Sequence, residues 1–122
     1  MVAPDLLSAR RETLRYLNAK GAKVRKYTNV KDVIGSLDVL YVTRIQKERI
    51  PDPTEYERVR GLYRVNLDLL KQGKKGLKVM HPLPRVDELA SEIDGTDYAS
   101  YFVQAAAGVP LRMALLRSVV GE

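Results

Sequence analysis

Two short stretches carry residue types that could do chemistry together. The first is His81-Pro82-Leu83-Pro84-Arg85-Val86-Asp87-Glu88, which follows the apolar run at 77–80. It gathers two prolines, an arginine, two carboxylates and the one histidine of the chain. Proline fixes φ and removes a backbone donor. Pro82 and Pro84 therefore predict a stiff loop that aims its carbonyls in fixed directions and has little freedom to lose on binding. The second stretch is Thr43-Arg44-Ile45-Gln46-Lys47-Glu48-Arg49, which follows the apolar run at 38–42. A planar guanidinium binds a carboxylate through two parallel hydrogen bonds, a geometry that lysine cannot reproduce. In an open α/β sheet, ligands bind just beyond the carboxyl ends of the strands. Two apolar runs that both end in polar, cationic loops predict one shared anion-binding crevice.

A plainer reading stands beside each of these residues. Arg44 also reads as an ordinary surface arginine at a strand end. His81, ahead of a proline, reads as a structural hydrogen-bonder rather than a proton shuttle. Glu48, Glu55 and Glu57 read as solvated or ion-paired, since a two-carboxylate hydrolytic site would need more support. Tyr16, Tyr27, Tyr41, Tyr63, Tyr98 and Tyr101 read mostly as core-edge residues rather than stacking platforms.

The elements that must position the two loops alternate between helix and strand. Pro4 and Asp5 open a helix whose Leu6, Leu7, Leu14 and Leu17 share one arc, with Gly21 as its stop. A short strand is expected at 23–27. A helix capped by Thr28 or Asn29 is expected through about Ser36, with Val30, Val33, Ile34 and Leu37 inward. The strand at 38–42 lacks polar alternation, which suits burial on both faces of a parallel sheet. Ile50 to Pro53 forms a turn, and Thr54 caps a helix to about Gly61. A brief strand at 63–65, a helix at 67–72 capped by Asn66, and a strand at 77–80 follow. After the proline loop come a partly helical stretch at 86–93, a turn at 94–96 and a last helix at 101–120. Strands alternating with helices predict a Rossmann-like, mainly parallel α/β sheet. The last helix spreads Met113, Leu115, Leu116, Val119 and Val120 over more than half its circumference, with Arg112 inside that arc. So apolar a helix is expected to be buried, and a chain this short implies a partner surface to bury it.

Composition sets outer bounds. With 122 residues, 45% hydrophobic and 30% charged, the chain is expected to be one domain or part of one. It has no cysteine, so thiolate metal sites, thiol nucleophiles and disulfides are excluded. No uninterrupted apolar run reaches the ~20 residues of a membrane span, and the first residues lack the apolar core of a signal peptide. A cytoplasmic protein without a membrane partner is the expectation. The net charge of +6 comes from cations interleaved with acids and apolar residues, with no zinc-finger spacing or aromatic RNA-reading strand. A solvated basic surface is expected in preference to a nucleic-acid site.

Three motifs taken together give a specific resemblance. TRIQKER at 43–49 followed by Glu55-Tyr56, HPLPRVDE at 81–88, and YFVQAAAGVPLRMALL at 101–116 resemble the catalytic chain of the aspartate carbamoyltransferases over essentially all 122 residues. The part resembled is the C-terminal, aspartate-binding domain, in a form nearest the archaeal ones. HPLPR separates it from ornithine carbamoyltransferases, which carry a cysteine in a HCLP loop. The resemblance implies that Arg44 and Gln46 hold an aspartate carboxylate. It implies that Leu83 and Pro84 offer backbone carbonyls to an amino group of the substrates. It further implies a mobile loop from about Lys47 to Arg60, in which Arg49, Glu55 and Tyr56 position the ligand, and no metal or other cofactor.

The family's carbamoyl-phosphate domain, with its SxRT loop and catalytic histidine, has no counterpart in these residues. The first strand and helix of the aspartate domain, with a second aspartate-binding arginine, have none either. The expectation is a partial aspartate-binding domain spanning 1–122, without a complete catalytic set. It would be active only with the missing domain, a trimeric assembly and possibly a regulatory chain. The alternative is a non-catalytic, self-associating remnant. Val103 and Ala107 stand where many relatives carry polar residues, at the start of the helix that in the family reaches back to the first domain.

Overall fold

Leu77 and Val79 are strongly apolar and sit at every second position, and both are completely buried. Around them a computed structural model, describing residues 1–60 and 62–121, builds a small α/β unit. Strand β1, Val39–Tyr41, pairs in parallel with β2, Lys78–Met80, in the register Val39↔Lys78, Leu40↔Val79 and Tyr41↔Met80. The Lys78 amide donates to the Asp38 carbonyl at 3.0 Å and the Val42 amide to the Met80 carbonyl at 2.8 Å, extending the pair at both ends. On the other flank of β2 the Val79 amide donates to the Tyr98 carbonyl at 2.8 Å, and Ser100 returns a bond to the Val79 carbonyl at 3.0 Å. Parallel bridges also join Val2 to Tyr27 and Val65 to Leu89. Every strand pairing among the described residues is parallel, as expected for βαβ connectivity.

Four α-helices accompany the sheet. They are α1 at Arg11–Ala19, α2 at Pro53–Val59, α3 at Leu67–Leu70 and α4 at Tyr101–Val120. Leu70, Leu77, Val79, Ile93 and Tyr101 are at most 1% exposed and anchor the core, with Val65 and Leu89 close to that. Burying an aliphatic side chain of this size contributes roughly 1.5–3 kcal/mol. At Gly73 a Cβ would lie 2.5 Å from Leu77 Cδ2 and 3.1 Å from the Leu70 carbonyl oxygen, so the turn between α3 and β2 has no room for a side chain.

Several expectations need correction. The first helix is two pieces: a 3-10 turn at Asp5–Leu7, then α1. Ser8 and Arg10 are extended between them, and Lys26 holds the Ser8 hydroxyl at 3.0 Å. The strand at 23–27 contracts to the single bridge at Tyr27, and the one at 63–65 to the bridge at Val65. Two successive 3-10 turns, Val30–Asp32 and Ile34–Ser36, replace the helix after Asn29. β-Branched residues and a glycine weaken an α-helix that short, although Asn29 does cap the first turn through the Lys31 amide. Asp52 rather than Thr54 caps α2, accepting from the Thr54 amide at 2.8 Å with Pro53 at the first helical position. The stretch at 86–93 is partly helical, as expected, through a 3-10 turn at Ser91–Ile93.

The burial of β1 is a further correction, while that of α4 follows the expectation that so short a chain leaves the helix uncovered. β1 is not buried on both faces: Val39 and Tyr41 are about half exposed, because β2 is its one strand neighbour among the described residues. α4 has the predicted bounds, closed by Gly121 in the left-handed region at φ 83, yet only Tyr101 on it is buried. Its apolar residues, Leu111, Met113, Leu116 and Val119 among them, face outward. By length and composition alone α4 could cross a bilayer, although Arg112 and Arg117 interrupt its apolar run.

Candidate functional site

The register Tyr41↔Met80 makes the two strands end level. Adjacent strands lie about 4.8 Å apart, so the loop that carries Arg44 and the loop that carries Leu83 leave neighbouring points on one end of the sheet. This is the juxtaposition expected for a crevice at the strand carboxyl ends.

Arg44 is exposed and grips Glu48 with both prongs of its guanidinium. Nη2 donates to Oε1 at 2.6 Å and Nη1 to Oε2 at 3.2 Å. This hydrogen bonding, and then the Glu48 charge, raise the Arg44 pKa above its ordinary value. Glu88 and Tyr56 add smaller effects through their charge. Glu88 lies in the proline loop and Tyr56 on α2, while the direct contact of Arg44 is with Glu48 on its own loop. Gln46 is half-buried and precedes the 3-10 turn Lys47–Arg49. Glu55 and Tyr56 are half-buried on α2, with Lys47 Nζ 5.3 Å from the centre of the Tyr56 ring, a cation–π distance. The Arg49 side chain lies outside the described residues. At the end of α2 the Arg60 Nε donates to Asp87 at 3.4 Å, tying that segment to the proline loop.

The proline loop is held from beneath. His81 is 1% exposed and its Nε2 lies 2.7 Å from Glu88 Oε1. The Leu83 amide donates to His81 Nδ1 at 2.8 Å. Leu83 is half-buried with φ 53, a left-handed conformation that costs a non-glycine residue roughly 1–3 kcal/mol. The peptide bond from Leu83 to the exposed Pro84 is cis. Glu88 also accepts from the Val86 and Asp87 amides at 3.2 Å. Every buried side-chain nitrogen and oxygen among the described residues has a partner.

A network that the sequence did not signal joins this loop to α4. Arg85 forms a two-pronged pair with Asp94, and the Tyr101 hydroxyl donates to the same carboxylate. Hydrogen bonding from Arg85 and then from Tyr101 pulls the Asp94 pKa down to about 2. Burial, and next the hydrogen bond to Asp94, push Tyr101 up to about 12. Nothing in the eight residues between Arg85 and Asp94 announces that they meet. The buried Tyr101 and the exposed Tyr16 and Tyr41 also depart from the core-edge reading of the tyrosines.

The site is thus a polar rim without a metal cluster among the described residues. A paired guanidinium stands on one loop and a fixed, proline-bounded turn on the next. Such a rim can bind a small carboxylate and accept hydrogen bonds from an amino group.

Comparison with known proteins follows the same lines. Residues 1–119 match the aspartate/ornithine carbamoyltransferase Asp/Orn-binding domain. The chain is 60% identical over 115 residues to the aspartate carbamoyltransferase catalytic subunit of Pyrobaculum calidifontis, covering 94% of this chain and 38% of the relative. It is 54% identical to that of Hyperthermus butylicus, covering 100% of this chain and 39% of the relative. Among solved structures, the catalytic subunit of M. jannaschii aspartate transcarbamoylase superposes with a TM-score of 0.84 at 42% identity, covering 98% of this chain and 40% of that one. Aspartate transcarbamoylase from Trypanosoma cruzi in complex with N-(phosphonacetyl)-L-aspartic acid superposes at 0.82 with 33% identity, covering 95% and 38%. The chain spans about 40% of the length of these relatives. The match takes in α4 to residue 119, so that helix is an element of the carbamoyltransferase fold.

Proposed function

The chain belongs to the aspartate/ornithine carbamoyltransferase family, and from that premise we propose that it is the aspartate-binding half of an aspartate carbamoyltransferase. The reaction joins carbamoyl phosphate and L-aspartate into N-carbamoyl-L-aspartate and phosphate, as a cytoplasmic step of pyrimidine synthesis. The observation that supports the reading is the level end of β1 and β2, from which the Arg44 loop and the Leu83–Pro84 loop start as neighbours.

In this reading Arg44 takes an aspartate carboxylate bidentately, with Gln46 beside it. The Leu83 and Pro84 carbonyls accept from the amino group of aspartate or of carbamoyl phosphate. Holding the two substrates together lets the neutral aspartate amine add to the carbamoyl carbon; the tetrahedral adduct then breaks its C–O bond to phosphate, which leaves with the amine proton. No covalent enzyme intermediate is required, and positioning supplies much of the acceleration. The segment from about Lys47 to Arg60, with Arg49, Glu55 and Tyr56, closes over the ligand and excludes water. The phosphate grip and the acid–base histidine come from the carbamoyl-phosphate domain, which packs along the exposed face of α4, within a trimeric assembly. A regulatory chain belongs to the same proposal.

Titration with N-(phosphonacetyl)-L-aspartate tests this reading, first with the 122-residue chain alone and then with the chain joined to a carbamoyl-phosphate domain. Weak or absent binding alone and tight binding when joined is the expected pattern. Absence of binding in the joined form overturns the proposal. The outward apolar face of α4 also favours a second reading, a self-associating module without catalysis. A stable monomer in sedimentation overturns that one.

A further inference from the structure

We propose that His81 is a positioning residue: anchored by Glu88, its ring latches the Leu83 amide and so sets the directions of the Leu83 and Pro84 carbonyls. The proposal rests on the reading that those carbonyls receive the substrate.

The hydrogen-bond directions fix the ring. A backbone amide can only donate, so the contact from the Leu83 N–H requires a lone pair on His81 Nδ1. The ring proton is then on Nε2, where Glu88 Oε1 accepts it at 2.7 Å. The other groups that meet the Glu88 carboxyl are the Val86 and Asp87 amides, which are also donors. One orientation and one tautomer of the ring satisfy all of these contacts, and the opposite tautomer would set N–H against N–H. The backbone at residue 81 is also tied to α4, because the His81 amide donates to Gln104 Oε1 at 3.2 Å.

The latch lies where the backbone needs it. Leu83 holds φ 53, a region that leucine rarely occupies. The closure from residue 81 to residue 83 spans Pro82, whose own φ is fixed by its ring. With φ set at residues 82, 83 and 84, the rotations left to the two carbonyls are ψ of Leu83 and of Pro84. His81 is 1% exposed and has no route to the crevice as a proton carrier. Its ring acts on a ligand through the groups it holds: Leu83 directly, and Glu88, whose charge reaches Arg44.

Two variants separate the contacts. His81→Asn places its Oδ1 near the position of Nδ1 and keeps an acceptor for the Leu83 amide while losing Glu88. His81→Gln reaches toward Glu88 and leaves the Leu83 amide without its acceptor. In the chain joined to a carbamoyl-phosphate domain, His81→Gln is expected to weaken N-(phosphonacetyl)-L-aspartate about tenfold, the scale of one lost hydrogen bond. His81→Asn is expected to recover most of that loss. A purely structural role would lower the melting temperature of both variants without this order in affinity.

Independently of any ligand, 15N NMR of the wild-type 122-residue chain reads the tautomer from its one histidine. The expected signature is an unprotonated Nδ1 and a protonated Nε2. A proton on Nδ1 overturns the latch. Equal affinities for wild type and His81→Gln, or an Asn variant no better than the Gln variant, overturn the positioning role. If the joined wild-type protein binds no analogue, the functional reading fails and the positioning role falls with it, while the ring signal still reports whether the latch exists.

Discussion

Arg44 already holds a carboxylate in this structure. Its two-pronged bond to Glu48 has the geometry that a bound carboxylate requires, so under the proposed function aspartate would have to share or displace Glu48. Arg44→Lys keeps the charge and loses the fork. In the chain joined to a carbamoyl-phosphate domain, it should weaken N-(phosphonacetyl)-L-aspartate by about 2 kcal/mol, roughly thirtyfold, measured by calorimetric titration. Arg85→Gln should act on stability instead. It leaves Asp94 and Tyr101 without their cation, and about 2 kcal/mol of lost stability is expected from urea unfolding at neutral pH. The same network sets a pH dependence with two edges. The Asp94 pKa is lowered from 3.8 to about 2, so its contribution is present above pH 3.8 and is lost as pH falls toward 2. The Tyr101 pKa is raised from 10.0 to about 12, so its contribution is present below pH 10 and is lost as pH rises toward 12. Urea midpoints of wild type and Tyr101→Phe across that range should converge in alkali. The motif spacing made Arg44 and Leu83 legible as a pair, because each follows an apolar run by the same few residues. Asp94 and Tyr101 were not legible, since their roles arise from a fold-back between a turn and a helix that no local pattern encodes.

At the scale of elements, the sequence was most informative where one signal decided the outcome. α4 begins and ends as predicted because its apolar run is long and Gly121 stops it. The strands came out shorter than their apolar runs because pairing, not composition, ends a strand. β1 keeps three residues, and the run at 23–27 keeps one bridge. The helix after Asn29 failed as an α-helix because a good cap cannot offset poor propensity over so few residues. At α2 the expected cap, Thr54, gave way to Asp52, because Pro53 fits the first turn and starts the helix there. Asp52→Ala should remove about 1 kcal/mol from α2. Amide exchange at the Thr54 and Tyr56 positions should quicken about fivefold, with core amides such as Val79 unchanged.

For the whole molecule, the long apolar flank of α4 is the dominant surface feature. The helix was expected to be buried, and within this chain it is open. Large exposed apolar faces drive association, so the 122-residue chain alone should sediment as a concentration-dependent oligomer. Charges introduced by Leu111→Glu and Leu116→Glu should shift it toward monomer without lowering its melting temperature, since both side chains are more than half exposed.

The level ends of β1 and β2 have a mechanical consequence. Only three residue pairs define their alignment. A slip of one position would carry Arg44 about 3.3 Å along the strand and turn alternate side chains to the opposite face. A ligand gripped from both loops would act as a pin through the two strands, resisting that slide. Tightness of binding therefore doubles as a gauge of strand alignment, and an amide at Leu40, far from any substrate atom, should feel the ligand arrive.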